Sequence, residues 1–156
     1  MKSRNATVLM MLALSILSSV LAVAAQGKTN VSGTWKMNAE KSKFEKGGPK
    51  AITIKFDQKE STLDESITIA NDSGEQTLNF IYTLDGKESA QQLEGQPIKA
   101  SAKWEGEALL LEFKNDDGFS FRRKITVSAD GKTITMDVKQ ASPNGTANDT
   151  VILEKQ

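Results

Sequence analysis

The sequence predicts an all-β protein, an antiparallel up-and-down meander of about 8–10 strands that closes into a barrel after an N-terminal signal peptide. Three observations support this fold class. Apolar and polar residues alternate from residue 50 to the C-terminus, short turns rich in Gly, Asn and Asp separate the alternating runs, and no long amphipathic helix is available to cover the sheet. A sheet with one apolar face must then bury that face against itself.

The first 25 residues have the parts of a secretory signal peptide. Lys2 and Arg4 form a basic head, and an apolar run follows that ends at Ala25 in the small residues of "AVAAQG". We expect cleavage there, which leaves 26–156 as a single domain, secreted or periplasmic and free of the membrane. An uncleaved anchor is the competing interpretation, although the apolar run barely reaches the ~18–20 residues that a span requires.

The strand prediction rests on a period of two. In "AITIKF", Ile52, Ile54 and Phe56 share one face, and the residues between them are mostly polar. Turn signals such as "NDSG", "LDGK" and "SPNG" separate the runs, because Gly and Asn supply the positive φ of tight hairpin turns. The pattern predicts about nine strands, at 31–37, 50–57, 63–70, 75–84, 97–104, 107–114, 118–128, 132–140 and 147–155.

Two polar stretches, 38–49 and 85–96, interrupt the regular alternation. Both are predicted loops that flank an opening, and the first is long enough for one short helical turn capped by Asn38. Since no helix can cover the sheet, it must form either a barrel or a sandwich. The short connections between neighbouring strands favour an up-and-down barrel.

The first strand carries a further signal. "SGTWKMN", with Gly33 and Trp35, resembles the Gly-x-Trp signature that opens lipocalins and their calycin relatives. "ASAKWEGEALLLEF", "ITVSADGKTITMDV" and the terminal "VILEKQ" resemble small exported bacterial proteins described as lipocalin-like, so that the resemblance covers most of 31–155. It implies a lipocalin-like barrel in which Trp35 closes one end and a late-strand arginine packs over it. Arg122 and Arg123 are on a late strand, but it is the one before the last two, and the cysteines that tie the tail to many lipocalin barrels are absent.

Arg123 is the unusual residue of the inferred interior. If Phe121 and Ile125 face inward, Arg123 does too, and a buried guanidinium needs a partner. Four interpretations remain open. Arg123 meets the carboxylate or phosphate of a ligand, pairs with Glu65, stacks on Trp35 or Trp104, or turns outward at a β-bulge.

An aromatic set shares the inferred inner face, and these side chains either line an apolar cavity or simply fill the barrel. Both outcomes occur in barrels of this size, so the sequence leaves the choice open. The candidate ligand-binding residues are Trp35, Phe80, Tyr82, Trp104, Phe113, Phe121 and Arg123.

Composition excludes several function classes. The chain has no His and no Cys, which removes Ser-His-Asp and Cys-His catalysis and the common zinc sites. A carboxylate, lysine or tyrosine mechanism remains open, but no recognisable arrangement supports one. We therefore expect a non-enzymatic protein without a cofactor or metal. The 20 basic and 20 acidic residues give no net charge that would favour nucleic acid.

The leading hypothesis is an exported barrel that binds a small hydrophobic or amphipathic molecule, with apolar walls and one inward charge. The alternative is an envelope or extracellular protein with a packed barrel, whose loops 38–49 or 85–96 contact a protein partner.

Overall fold

The computed structural model describes residues 29–156, and the predicted signal peptide at 1–25 lies outside them. The predicted all-β meander is confirmed, with ten antiparallel strands in one sheet that forms a nearly closed barrel. The strands are β1 Gly33–Met37, β2 Ala51–Gln58, β3 Thr62–Asn71, β4 Gly74–Thr83, β5 Ser89–Leu93, β6 Gln96–Glu105, β7 Ala108–Lys114, β8 Ser120–Val127, β9 Thr133–Ser142 and β10 Gly145–Lys155.

The strand order is β4-β3-β2-β1-β10-β9-β8-β7-β6-β5. Each strand pairs with its neighbours in sequence except at two places. β1 pairs with β10, where Trp35 lies opposite Lys155, and this contact joins the two ends of the barrel domain. The second exception is the seam between β4 and β5, which has no backbone ladder.

Side chains bridge the seam instead. The amide of Gln91 on β5 mimics a peptide group, since its Oε1 accepts the Ile81 N–H at 3.1 Å and its Nε2 donates to the Ile81 carbonyl at 2.6 Å. Gln76 of β4 hydrogen-bonds Glu94 in the β5–β6 turn. These contacts hold the two free edges together, so that the barrel is nearly closed.

The prediction of nine strands is corrected to ten, because β5 lies inside the predicted loop 85–96. Its inward positions are Ser89, Gln91 and Leu93, which are only half-buried. Two of the three are polar, so the segment lacks the apolar alternation on which the prediction depended. Pairing with β6, from Ser89 opposite Ala100 onward, makes it a strand.

The up-and-down topology gives the barrel two distinct ends. The upper end carries segment 38–50, which connects β1 to β2, together with the β3–β4, β5–β6, β7–β8 and β9–β10 turns. The lower end is where β1 begins and β10 ends. Residues 29–156 contain no helix that is long and apolar enough to cross a membrane.

The alternating apolar residues fill the interior of the barrel as predicted. Ile54, Phe80, Leu111 and Met136, from four different strands, all belong to one buried cluster. The apolar face of the sheet is therefore continuous and wraps around its own core, which is the physical reason for the barrel.

Candidate functional site

Arg123 projects into the barrel from β8 and is 1% exposed. Its Nη1 donates to Glu65 Oε1 at 2.5 Å, and its Nη2 donates to Glu65 Oε2 at 2.7 Å. Glu65 belongs to β3, which lies five places from β8 in the order of ten strands. The bidentate ion pair therefore crosses the interior and ties opposite walls of the barrel together.

Tyr82 completes this buried network. Its hydroxyl donates to Glu65 Oε2 at 3.2 Å and accepts from Arg123 Nη2 at 3.0 Å. Burial, followed by the Glu65 carboxylate, raises the pKa of Tyr82 well above its ordinary value. Burial acts to lower the pKa of Arg123, but Glu65 outweighs it and holds that pKa above its usual range. The arginine is thus charged, and its charge is balanced inside the barrel.

Two of the other interpretations of Arg123, the outward turn at a β-bulge and stacking on a tryptophan, do not describe this geometry, and contact with a ligand stays a prediction. β8 pairs regularly with both neighbours, with Arg123 opposite Leu111 and Val138, so no bulge turns the side chain outward. The ring next to the guanidinium is Phe121, whose centroid lies 5.9 Å from Cζ. The arginine is therefore held by a carboxylate and an aromatic neighbour on its own strand.

Trp35 is fixed at the lower end. It is fully buried, and its indole N–H donates to the Val31 carbonyl at 2.8 Å. The cation over its ring comes from the last residue of β10, Lys155, with Nζ 5.2 Å from the ring centroid. A lysine thus takes the place that the lipocalin resemblance gives to an arginine. Trp104, near the lower end of β6, has no partner for its indole N–H within 29–156.

A row of aromatic rings leads from the middle of the barrel toward its upper end. Phe113 is central, with its ring centroid 5.4 Å from Phe80 and 5.3 Å from Phe121. Phe80 in turn stacks on Tyr82 at 5.8 Å, and Phe119 lies 5.9 Å from Phe113. The row connects the buried ion pair to the upper end through apolar contacts.

An apolar cleft of about 370 Å³ opens at the upper end. Five strands contribute its walls, and segment 38–50 covers one side with Phe44, Gly48 and Pro49. Polar groups occur among the lining residues only as Asn71, Gln140 and Asp149. The apolar wall residues are Ile52, Ile69, Phe121, Met136, Val138 and Val151.

Segment 38–50 follows β1 and is hydrogen-bonded to the part of β10 that β1 does not reach. Asn38 caps a turn, accepting the Lys41 N–H on its Oδ1 at 3.1 Å, so the expected helical turn is a single hydrogen-bonded turn. Ser42 Oγ accepts the Ile152 N–H at 3.0 Å, and Glu45 N–H donates to Asp149 Oδ1 at 2.8 Å. These contacts place the segment beside the cleft.

Gly48 allows Phe44 to lie over the segment, because a Cβ at Gly48 would overlap the phenyl ring. Phe44 is half-buried and packs against the core cluster. It is the only aromatic residue of segment 38–50 and, together with Pro49, supplies the apolar contact on that side of the cleft.

The seven predicted ligand-binding residues divide into three groups. Phe121 lines the cleft, while Phe80, Tyr82, Phe113 and Arg123 form the interior below it, where Tyr82 and Arg123 belong to the buried ion-pair network. Trp35 and Trp104 lie toward the lower end. Whether any of them touches a ligand stays a prediction. No group of three or more Asp or Glu side chains suited to a metal ion occurs within the described residues.

Sequence reasoning missed most of the cleft walls. Ile69, Val138 and Val151 lie on predicted strands, but one chain does not show which strand ends meet. The sequence does contain a signal that could have identified Phe44 as a contact residue. It is a lone aromatic residue within a polar connection that follows the first strand.

Comparison with known proteins shows the fold and leaves the family open. No family model matches the sequence, and no characterised protein is significantly similar to it in sequence. A secretory abundant heat soluble protein from Ramazzottius varieornatus is 16% identical, with a TM-score of 0.65, and the match covers 83% of this chain and 97% of that one.

Two further solved structures share the barrel. The REP1-NXSQ fatty acid transporter is 15% identical with a TM-score of 0.59, over 81% of this chain and 96% of the other. The zebrafish ileal bile acid-binding protein, solved with cholic acid, is 14% identical with a TM-score of 0.53, over 80% and 98%. These are lipocalin-like barrels of the calycin type, so the resemblance of "SGTWKMN" is confirmed for the fold. Bacterial origin and export stay predictions.

Proposed function

We propose that this lipocalin-like barrel binds a small hydrophobic or amphipathic molecule in the cleft at its upper end. The observation that carries the proposal is the convergence of six inward-facing apolar side chains from five strands on a space of about 370 Å³. That volume lies near the lower limit of ligand sites, roughly 300–1,000 Å³. The barrel thus accommodates one small ligand.

The position of the ligand follows from what already occupies the rest of the barrel. The Arg123–Glu65 pair spans the middle, and Trp35 is packed at the lower end. A ligand therefore occupies the upper part, where its apolar portion is buried against Phe121 and Val138. Such burial contributes about 25 cal/mol per Å² of apolar surface.

Proteins with the same barrel support this proposal by what they bind. One is a fatty acid transporter, and another is a bile acid-binding protein in complex with cholic acid. At their level of identity the likeness extends to the fold alone, so the ligand of this chain is argued from its own cleft. We propose a binding role without catalysis.

A fluorescent dye tests the proposal. Nile red, which is uncharged and apolar, is expected to bind saturably and become brighter in the cleft. Ile69→Trp places an indole in the cleft and should strongly weaken uptake, because Ile69 is a wall residue. Thr68→Trp adds the same ring on the outer face of β3 and should leave uptake unchanged. Absence of saturable uptake by the unmodified protein would refute the proposal.

The packed barrel with a protein partner is the second candidate, and the filled middle and lower parts of the interior favour it. Native mass spectrometry of the protein purified from its source separates the two functions. A bound small molecule adds a few hundred daltons at most, on the order of a single lipid, whereas a partner adds a whole chain.

Export is part of the proposal. We expect the protein outside the cytoplasm, with a new N-terminus near residue 26. Cell fractionation and N-terminal sequencing of the purified protein test this, and a cytoplasmic protein that retains Met1 would refute it.

A further inference from the structure

We infer that the polar end of the ligand is uncharged, a hydroxyl, carbonyl or amide group and not a carboxylate. The inference rests on the proposed function and concerns the same cleft. It follows from the balance of charge around the cleft walls and from the contacts of Arg123.

The walls of the cleft offer no cation. Among the described residues that line it, none is basic, and the polar members are two amides, Asn71 and Gln140, and one carboxylate, Asp149. Asn and Gln side chains donate to and accept from uncharged oxygen and nitrogen groups. The carboxylate of Asp149 repels a second carboxylate at short range. The lysines next to lining residues along the chain are exposed to water, where screening weakens their attraction, and they are Lys43, Lys46, Lys50 and Lys139.

The cation below the cleft is already neutralised. Both terminal nitrogens of Arg123 are bonded to Glu65, and Nη2 also contacts the Tyr82 hydroxyl. Because the pair carries no net charge, a ligand carboxylate beside it would add one uncompensated negative charge to a buried environment. Desolvation of such a charge opposes binding.

One donor of Arg123 remains free. Arg123 Nε has no hydrogen-bond partner within 29–156. Phe121, one inward position above it on β8, and Val138, directly opposite it on β9, both line the cleft. A single uncharged oxygen satisfies this donor, since the charge of the guanidinium already has its counter-ion. The available polar partners therefore suit a neutral group.

A matched pair of ligands tests the inference in the unmodified protein. Decanol and decanoate have the same chain length, and each is used to displace Nile red. At neutral pH we expect decanol to bind about tenfold more tightly than decanoate, because decanoate would bury one charged group without a partner. Decanoate should bind better as pH falls and its carboxylate becomes protonated, while decanol should not change.

The outcomes separate the inference from the proposed function. Decanoate that binds as tightly as decanol at neutral pH would overturn the inference and leave the proposed function intact. If neither ligand nor Nile red binds, the proposed function fails as well.

A change of charge provides the second test. Glu65→Gln keeps an acceptor but leaves Arg123 with an uncompensated charge, so decanoate should gain about tenfold in affinity relative to decanol. Glu112→Gln is the matched control, because Glu112 pairs with Arg122 on the outer face of the barrel, with Oε2 at 2.7 Å from Nε. It should leave the preference unchanged. A preference for decanol over decanoate that is unchanged in folded Glu65→Gln would overturn the inference. If that variant does not fold, the pH dependence of decanoate binding to the unmodified protein is the deciding test.

Discussion

The guanidinium of Arg123 and the carboxylate of Glu65 meet in the middle of the barrel through two hydrogen bonds of 2.5 and 2.7 Å. They come from opposite walls and are 58 residues apart in sequence. Burial of both charges is costly, and the bidentate geometry with the Tyr82 hydroxyl offsets much of that cost. The pair therefore divides the interior into a packed lower part and an upper part that holds the cleft.

Removal of one charge from this pair should lower the stability of the protein far more than removal of both charges. Glu65→Leu leaves a buried guanidinium without a counter-ion, and we expect it to lower the free energy of unfolding by about 3–5 kcal/mol. The double variant Glu65→Leu with Arg123→Met should recover most of that loss. Urea unfolding measures all three proteins.

The outer pair is the control for this prediction. Arg122 of β8 and Glu112 of the adjacent strand β7 form an ion pair on the outer face of the barrel. Glu112→Leu should change the free energy of unfolding by less than about 1 kcal/mol. Equal losses of the free energy of unfolding in Glu65→Leu and Glu112→Leu would contradict the buried-pair interpretation.

The barrel should lose stability in alkaline solution through Tyr82. Its pKa is raised in the folded protein above the ordinary value of about 10. Above that pH the unfolded chain releases the phenolic proton while the folded chain retains it, so the free energy of unfolding falls as pH rises. Tyr82 is the only tyrosine, so tyrosinate absorbance reports this residue alone.

We expect no tyrosinate signal from the native protein near pH 10 to 11, and a signal that appears together with unfolding. Tyr82→Phe should remove this contribution to the fall of the free energy of unfolding in alkaline solution. It also removes the two hydrogen bonds of the Tyr82 hydroxyl. Titration of the native protein with a pKa near 10 would show that the hydroxyl is accessible.

Ligand binding should leave tryptophan emission nearly unchanged. Trp35 and Trp104 lie toward the lower end, and neither lines the cleft. Phe121→Trp places an indole at the cleft, and its emission should shift on addition of decanol. A large shift in the unmodified protein would place the ligand deeper in the barrel, beside Trp35 or Trp104.

The β5–β6 turn should be improvable by a single substitution. Glu94 has φ +51° and Gly95 has φ +80°, and the left-handed region costs most L-residues about 1–2 kcal/mol. Asn tolerates this region and precedes Gly in many two-residue hairpin turns. Glu94→Asn should raise the free energy of unfolding by about 0.5–1 kcal/mol in urea unfolding. A loss of stability would show that the contact of Glu94 with Gln76 outweighs the strain.

Alternation was sufficient to predict the strands that have an apolar inner face. Residues such as Ile54 and Leu111 are spaced by two and are buried as expected. The same rule placed Arg123 and Glu65 inside, because parity along a regular strand determines the side on which a residue lies. It failed at β5, where Ser89 and Gln91 occupy inward positions and only pairing with β6 makes the strand.

The sequence by itself determined the class of fold and which face of each strand is buried, since both depend on local spacing along the chain. Only the tertiary structure decided which inward residues meet. The partnership of Arg123 with Glu65, the lysine over Trp35 and the convergence of Ile69, Val138 and Phe44 on one cleft depend on strand order, register and the path of segment 38–50. These are relations between distant parts of the chain, and a period of two carries no information about them.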